Sequence, residues 1–95
     1  MSYISQVKVI EGSQGKKLFL FTLSTCIWCR KTKALLKDLK KSYSYIDVDL
    51  LEGADKDEAY AKMEELAQST SFPTIIINDG EDVVVGFEEE KIKSL

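Results

Sequence analysis

Two residues in this chain have the types and spacing for redox chemistry. Cys26 and Cys29 are its only cysteines, and Cys26-Ile27-Trp28-Cys29 stands where an apolar run gives way to a lysine-rich segment. A helix beginning here sets Cys26 beside unpaired backbone N–H groups and the positive end of the macrodipole, both of which favour S⁻ over SH. Free cysteine ionises near ~8.5, and such environments lower that to roughly 3.5–7.5. Cys29, one turn further in, is expected to be more shielded and close enough to form a disulfide with Cys26. Thiol–disulfide exchange needs this division, with one thiolate to attack a target disulfide and a second thiol to resolve the mixed disulfide. Cys26 is the expected attacker, and Arg30 and Lys31 beside the thiols are candidates for electrostatic help.

The same spacing is also half of a structural zinc site. Zinc takes four ligands there, and the chain has no histidine and no third cysteine, so no metal site is expected within one chain. A metal or iron–sulfur cluster held between two chains, with thiolates from elsewhere, is the alternative function. Pro73 is the only proline and follows Ser71-Phe72. A proline at the first residue of a strand costs no ladder hydrogen bond, which is one reading. The other is a cis Phe72–Pro73 bond that turns the Phe72 backbone toward the thiols, where it pairs with an extended substrate. Trp28 is either a core cap beside the motif or an exposed aromatic lip for partners. Phe87 divides the same way, with core packing favoured. Gly86 supplies a special backbone angle or room for a ligand, the former preferred.

The elements that must position these residues follow from pattern. Lys17 to Leu23 is a short, nearly continuous apolar run, as expected of a strand buried on both faces. A helix from about Ile27 to Lys41 follows, with Leu35, Leu36 and Leu39 inward and its lysines solvated. Tyr43 to Asp49 alternates and reads as a strand. Gly53 and Asp55 introduce a second helix, with Asp55 and Glu58 as a capping pair, ending near Ser69. Thr74-Ile75-Ile76-Ile77, the turn Asn78-Asp79-Gly80 and Val83-Val84-Val85 read as a hairpin. Glu88 to Leu95 closes the chain as a short helix. The order β-α-β-α-β-β-α predicts an α/β fold with a central four-stranded mixed sheet and helices on its faces. Val7 to Ile10 is a candidate fifth, edge strand before a turn at Gly12-Ser13-Gln14-Gly15. Residues 1–15 thus form an N-terminal extension or edge strand, and 16–95 the domain.

Ninety-five residues make one domain, able to bury about two-thirds of its unfolded surface. A net charge of −3 argues against a general nucleic-acid binder. No basic flank with an apolar stretch opens the chain, and no run approaches ~18 apolar residues, so neither export nor a membrane is expected. A cytoplasmic monomer is the expectation, and in that reducing compartment a lone Cys-x-x-Cys is catalytic or metal-binding rather than a staple.

From about Lys16 onward the chain resembles the glutaredoxin-type members of the thioredoxin superfamily. The resemblance rests on the strand, Cys26-Ile27-Trp28-Cys29, the helix, Ser71-Phe72-Pro73, the hairpin and Val85-Gly86-Phe87. It implies a dithiol oxidoreductase in which Cys26 attacks, Cys29 resolves and Pro73 is cis, with Trp28, Ser71, Phe72, Pro73, Gly86 and Phe87 about the substrate. No bound cofactor is implied. Many glutaredoxins hold proline and tyrosine where this chain has Ile27 and Trp28. Glutathione-using members carry a lysine shortly before the motif and a Gly-Gly near the end. Here the first place reads Phe21-Thr22-Leu23-Ser24-Thr25 and the second Val85-Gly86-Phe87-Glu88-Glu89-Glu90. Those acids repel an anionic tripeptide, which weighs against glutathione as co-substrate. Gly86-Phe87 is more similar to redoxins reduced by a thioredoxin-reductase-type flavoenzyme. The implied partners are therefore disulfide-containing substrates and a reductant, either such a flavoenzyme or glutathione.

Overall fold

The computed structural model describes residues 3–13 and 15–95. Five strands form one mixed sheet in the order β1-β3-β2-β4-β5. They are β1 (Lys8–Ile10), β2 (Leu18–Thr22), β3 (Tyr43–Asp47), β4 (Thr74–Ile77) and β5 (Asp82–Val85). β2 and β3 run parallel, joined through helix α1 (Ile27–Asp38), while β1–β3, β2–β4 and β4–β5 are antiparallel. Helix α2 (Gly53–Ala67) crosses from β3 to β4, and α3 (Glu89–Lys93) ends the chain. The expected four strands are present, and the candidate edge strand is the fifth. The turn expected at Gly12 to Gly15 includes Gln14, which with Met1 and Ser2 lies outside the described residues.

The two faces of the sheet carry two cores. Leu18, Leu20, Ile75, Ile77 and Val84 meet Leu36 of α1 and Ile92 of α3 on one face. Phe21, Ile46 and Ile76 meet Ala59 and Met63 of α2, with Tyr3, on the other. Alternation along β2 produces this split, because successive side chains of a strand point to opposite faces. Both faces are covered, which is why β2 and β4 read as unbroken apolar runs.

Several boundaries differ from expectation, each for a local reason. α1 stops at Asp38 rather than Lys41, because Lys40 takes a left-handed conformation (φ 58°). Its N–H donates to the Lys37 carbonyl and that of Lys41 to Leu36, satisfying carbonyls that would otherwise be orphaned at the helix end. Of Leu35, Leu36 and Leu39 only Leu36 is fully buried, and Cys29 and Thr32 complete the inward face. β3 ends at Asp47, and Val48–Leu50 tighten into a 3₁₀ turn. Asp55 and Glu58 are not a capping pair. α2 is preceded by Glu52, which makes no capping bond, and both acids are engaged by distant donors. Asp55 accepts from the Gln6 amide (3.0 Å) and Glu58 from the Tyr3 backbone N–H (3.2 Å), so they pin the N-terminal turn onto α2. The helix ends at Ala67, with Gln68 left-handed.

Candidate functional site

Cys26 is the N-cap of α1, with extended backbone (φ −86°, ψ 118°), and its Sγ accepts the Cys29 N–H at 3.2 Å. This is the position at which a side-chain acceptor satisfies an orphan donor of the first turn. No acidic residue lies in that turn, so nothing there opposes negative charge on the sulfur. Cys26 is half-buried, whereas Cys29 is 1% exposed. Both are free thiols. Burial pushes the Cys29 thiol up to about 12, helped by a hydrogen bond with the Cys26 sulfur and by its charge. A backbone hydrogen bond from Leu23 and the Lys33 ammonium pull the other way. At neutral pH Cys29 therefore holds its proton.

The loop between β2 and α1 governs both sulfurs. Leu23 bonds Cys29 through its backbone, and its carbonyl accepts the Cys26 N–H at 3.2 Å. The next residue, Ser24, is clamped by Asp49, which accepts its backbone N–H at 2.8 Å and its hydroxyl as well. Partial burial pushes the Asp49 carboxyl up, but the two Ser24 bonds and the Lys56 charge more than offset it and the net shift is downward. Asp49→Ala is expected to lower stability by about 1–2 kcal/mol, the usual scale for bonds to a charged group at a partly exposed site. Because the folded-state pKa is depressed, this contribution is present above the ordinary carboxylate value of ~3.9 and is lost as pH falls through the folded value. Urea unfolding of both proteins at neutral pH and below about pH 3 checks this, the difference shrinking in acid.

Around the thiols the structure joins residues far apart in sequence. The Phe72–Pro73 bond is cis. The Pro73 carbonyl accepts the Gly86 N–H at 2.7 Å, and Gly86 has φ 84°, the conformation for which glycine is suited. Phe87 stacks on Trp28, with ring centroids 5.6 Å apart. Trp28 is 50% exposed and carries the Lys31 ammonium 4.6 Å from its ring centroid, so Lys31 faces the indole. Arg30 is exposed, and no ion pair among the described residues engages it. Ser71 is exposed; its N–H donates to the Ser69 hydroxyl and its carbonyl accepts the Thr74 hydroxyl. The Phe72 ring packs edge-on against Tyr60 on the α2 face, while no hydrogen bond among the described residues engages its backbone.

Sequence reasoning missed three side chains here. Lys33 was expected in solvent with the other lysines, yet it pairs with Asp47 at 3.2 Å, and its ammonium lies 3.9 Å from the Tyr45 ring centroid. Asp47 also accepts the Thr22 hydroxyl at 2.6 Å. The available signal for Lys33 was its place four residues after Cys29, on the same helix face. Asp49 gave none. Among the described residues no group of three or more His, Cys, Asp or Glu is arranged to hold a metal ion. A groove of about 630 Å³ lined by Tyr3, Phe19, Leu66 and Ile76 lies on the α2 face, and neither cysteine borders it. Cys26 is half-buried at the start of α1, and Cys29 is buried behind it.

Comparison with known proteins agrees with this geometry. The glutaredoxin family model matches residues 18–83. An uncharacterised glutaredoxin-like 8.6 kDa protein in the rubredoxin operon of Clostridium pasteurianum is 34% identical over 76 residues, covering 80% of this chain and 92% of that one. The crystal structure of the glutaredoxin from Methanosarcina mazei superposes with a TM-score of 0.83 at 43% identity, covering 93% of this chain and 84% of its own. Methanoredoxin of Methanosarcina acetivorans superposes with a TM-score of 0.76, also at 43% identity, over 85% of this chain and 93% of its own.

Proposed function

The chain belongs to the glutaredoxin family, and on that premise we propose that it is a dithiol oxidoreductase reducing protein or small-molecule disulfides through Cys26 and Cys29. The Cys26 thiolate attacks a substrate disulfide, forming a mixed disulfide and expelling one substrate thiolate. Cys29 then gives up its proton and attacks the Cys26 sulfur, forming the Cys26–Cys29 disulfide and releasing the second substrate thiolate. The substrate gains two electrons and the pair loses two, to be restored by an external reductant. The observation that carries this reading is the unequal pair, one cysteine half-buried at a helix N-cap and the other buried and protonated beside it.

Substrate contacts are assigned to the residues around Cys26. Trp28 and Phe87 offer a stacked aromatic surface, Gly86 beside Pro73 offers close approach, and the Phe72 backbone offers a donor and an acceptor to an extended chain. Among reductants, a thioredoxin-reductase-type flavoenzyme is favoured over glutathione. Leu23 and its neighbours bring no base before the motif, and Glu88, Glu89 and Glu90 are exposed, although Lys91 and Lys93 pair with the first two. The reducing cytoplasm is the matching compartment. No helix among the described residues is long and apolar enough to cross a membrane. The test is disulfide reduction supported by NADPH with thioredoxin reductase, and separately with glutathione and glutathione reductase. Turnover with the first and little with the second is expected. The reverse preference overturns the donor assignment, and no turnover with either, or with dithiothreitol, overturns the function.

A further inference from the structure

Resolution of the mixed disulfide requires a Cys29 thiolate in a nearly water-free place. The means for making it lies within the helix and the strand beneath. Lys33 follows Cys29 by one helical turn, and its side chain is only 22% exposed. It is held from two sides, by the Asp47 carboxylate at 3.2 Å and by the Tyr45 ring 3.9 Å below. Asp47 is 14% exposed and anchored in turn by Thr22 on the adjacent strand. A long, flexible side chain is thus held near one place, and the structure supplies no need for it in the core. An ion pair this shielded contributes little net stability, because desolvation offsets attraction.

We propose that Lys33 is a positioning residue for the resolving step, its ammonium held by Asp47 and Tyr45 where it stabilises the Cys29 thiolate as the Cys26–Cys29 disulfide closes. This rests on the reading that Cys29 resolves. The charge relations around Cys29 change as the reaction proceeds. In the reduced protein the Cys26 sulfur keeps the Cys29 proton in place, both as hydrogen-bond partner and by its charge. Once Cys26 is tied to substrate that negative charge is gone. The groups remaining to favour ionisation are the Leu23 backbone donor and Lys33. β3 faces this side with Asp47, whose charge is shared between Lys33 and Thr22, and with Tyr45, while α3 presents Ile92. The Cys29 proton leaves to solvent, and the departing substrate thiolate takes one up, so the step balances without a further reagent.

Reduced protein mixed rapidly with the aromatic disulfide dithiobis-nitrobenzoate reads the two steps apart. One coloured thiolate is released as Cys26 forms the mixed disulfide and a second as Cys29 closes the ring. In Lys33→Met and Lys33→Gln the first release is expected at wild-type rate and amplitude, which also reports a folded site. The second is expected to slow about threefold, since losing the positive charge lowers the Cys29 thiolate fraction and the greater nucleophilicity of the remaining thiolate offsets only part of that loss. Plotted from about pH 6 to pH 9, the second rate of both variants shifts about half a unit toward alkali. Lys33→Arg, which keeps the charge, is expected to restore it. Equal slowing of both releases, no change in the second, or wild-type behaviour of Lys33→Gln beside a slow Lys33→Met would each overturn the proposal. Absence of a second release from the wild-type protein would instead overturn the resolving role of Cys29.

Discussion

Cys26→Ser is expected to abolish disulfide reduction, with turnover falling on the order of 10³-fold or more, because a serine hydroxyl is scarcely ionised where a thiolate is required. The fold is not expected to change, since Cys26 is half-buried and its backbone carries the helix-starting geometry. Serine is itself a good N-cap, so the oxygen takes over the Cys29 N–H and unfolding remains within about 0.5 kcal/mol of wild type. The partner variant separates the two roles. Cys29→Ser retains the attack and loses the resolution, so the mixed disulfide accumulates and is seen as a mass increase of one substrate thiol on the protein. Alkylation of the reduced wild-type protein at neutral pH should mark Cys26 and spare Cys29, which is buried and protonated. Persistent multi-turnover reduction by Cys26→Ser would remove the mechanism.

Phe21→Ala is expected to have the largest effect on stability and a small one on chemistry. Phe21 is 1% exposed in the central strand β2, edge-on to Phe19 at 5.0 Å and tilted against Tyr3 at 6.1 Å. Truncating a buried phenylalanine costs about 3–5 kcal/mol, combining lost transfer energy with the cavity left behind. That is a large part of the roughly 5–15 kcal/mol typical of a domain this size, and the melting midpoint should fall by about 15 °C or more. Phe21 packs on the α2 face, whereas Cys29 and the α1 core lie on the other. Below its lowered midpoint the variant should therefore retain near-normal reductase rates. Thermal melts monitored by circular dichroism, with activity assayed well below the transition, test both halves. A loss of activity in a still-folded variant would mean that the two faces are coupled through the sheet.

Much of this protein could be read in its residues because the relevant signals are local. Cys26 and Cys29 are separated by less than one turn of the helix that carries them, so spacing alone sets their relation. The unbroken apolar run of β2 and the β-branched run of β4 announce strands covered on both sides. Asn78-Asp79-Gly80 announces a turn, and all three take positive φ. Where local pattern met competition from distant partners, it failed. Asp55 and Glu58 have the spacing of a capping pair, but the N-terminal turn brings them donors from Gln6 and Tyr3. Lys33 sits in a run of lysines that reads as solvated, and only the strand beneath α1 removes it from water.

The unaided sequence thus determined the placing of Cys26 and Cys29 at a helix start, the order of elements and the split between strand and helix, because these depend on contacts within a few residues. Tertiary structure decided what surrounds the sulfurs. The parallel register that sets Thr22 opposite Asp47 brings a carboxylate beneath α1 for Lys33 to meet. The turn after β3 delivers Asp49 to Ser24 across 25 residues of chain. The hairpin carries Gly86 to Pro73 and Phe87 to Trp28. The physical reason is the same in each case: these contacts exist only once sheet register fixes which strand ends lie side by side, and that register is selected by burial of the whole apolar set rather than by any of the residues that meet.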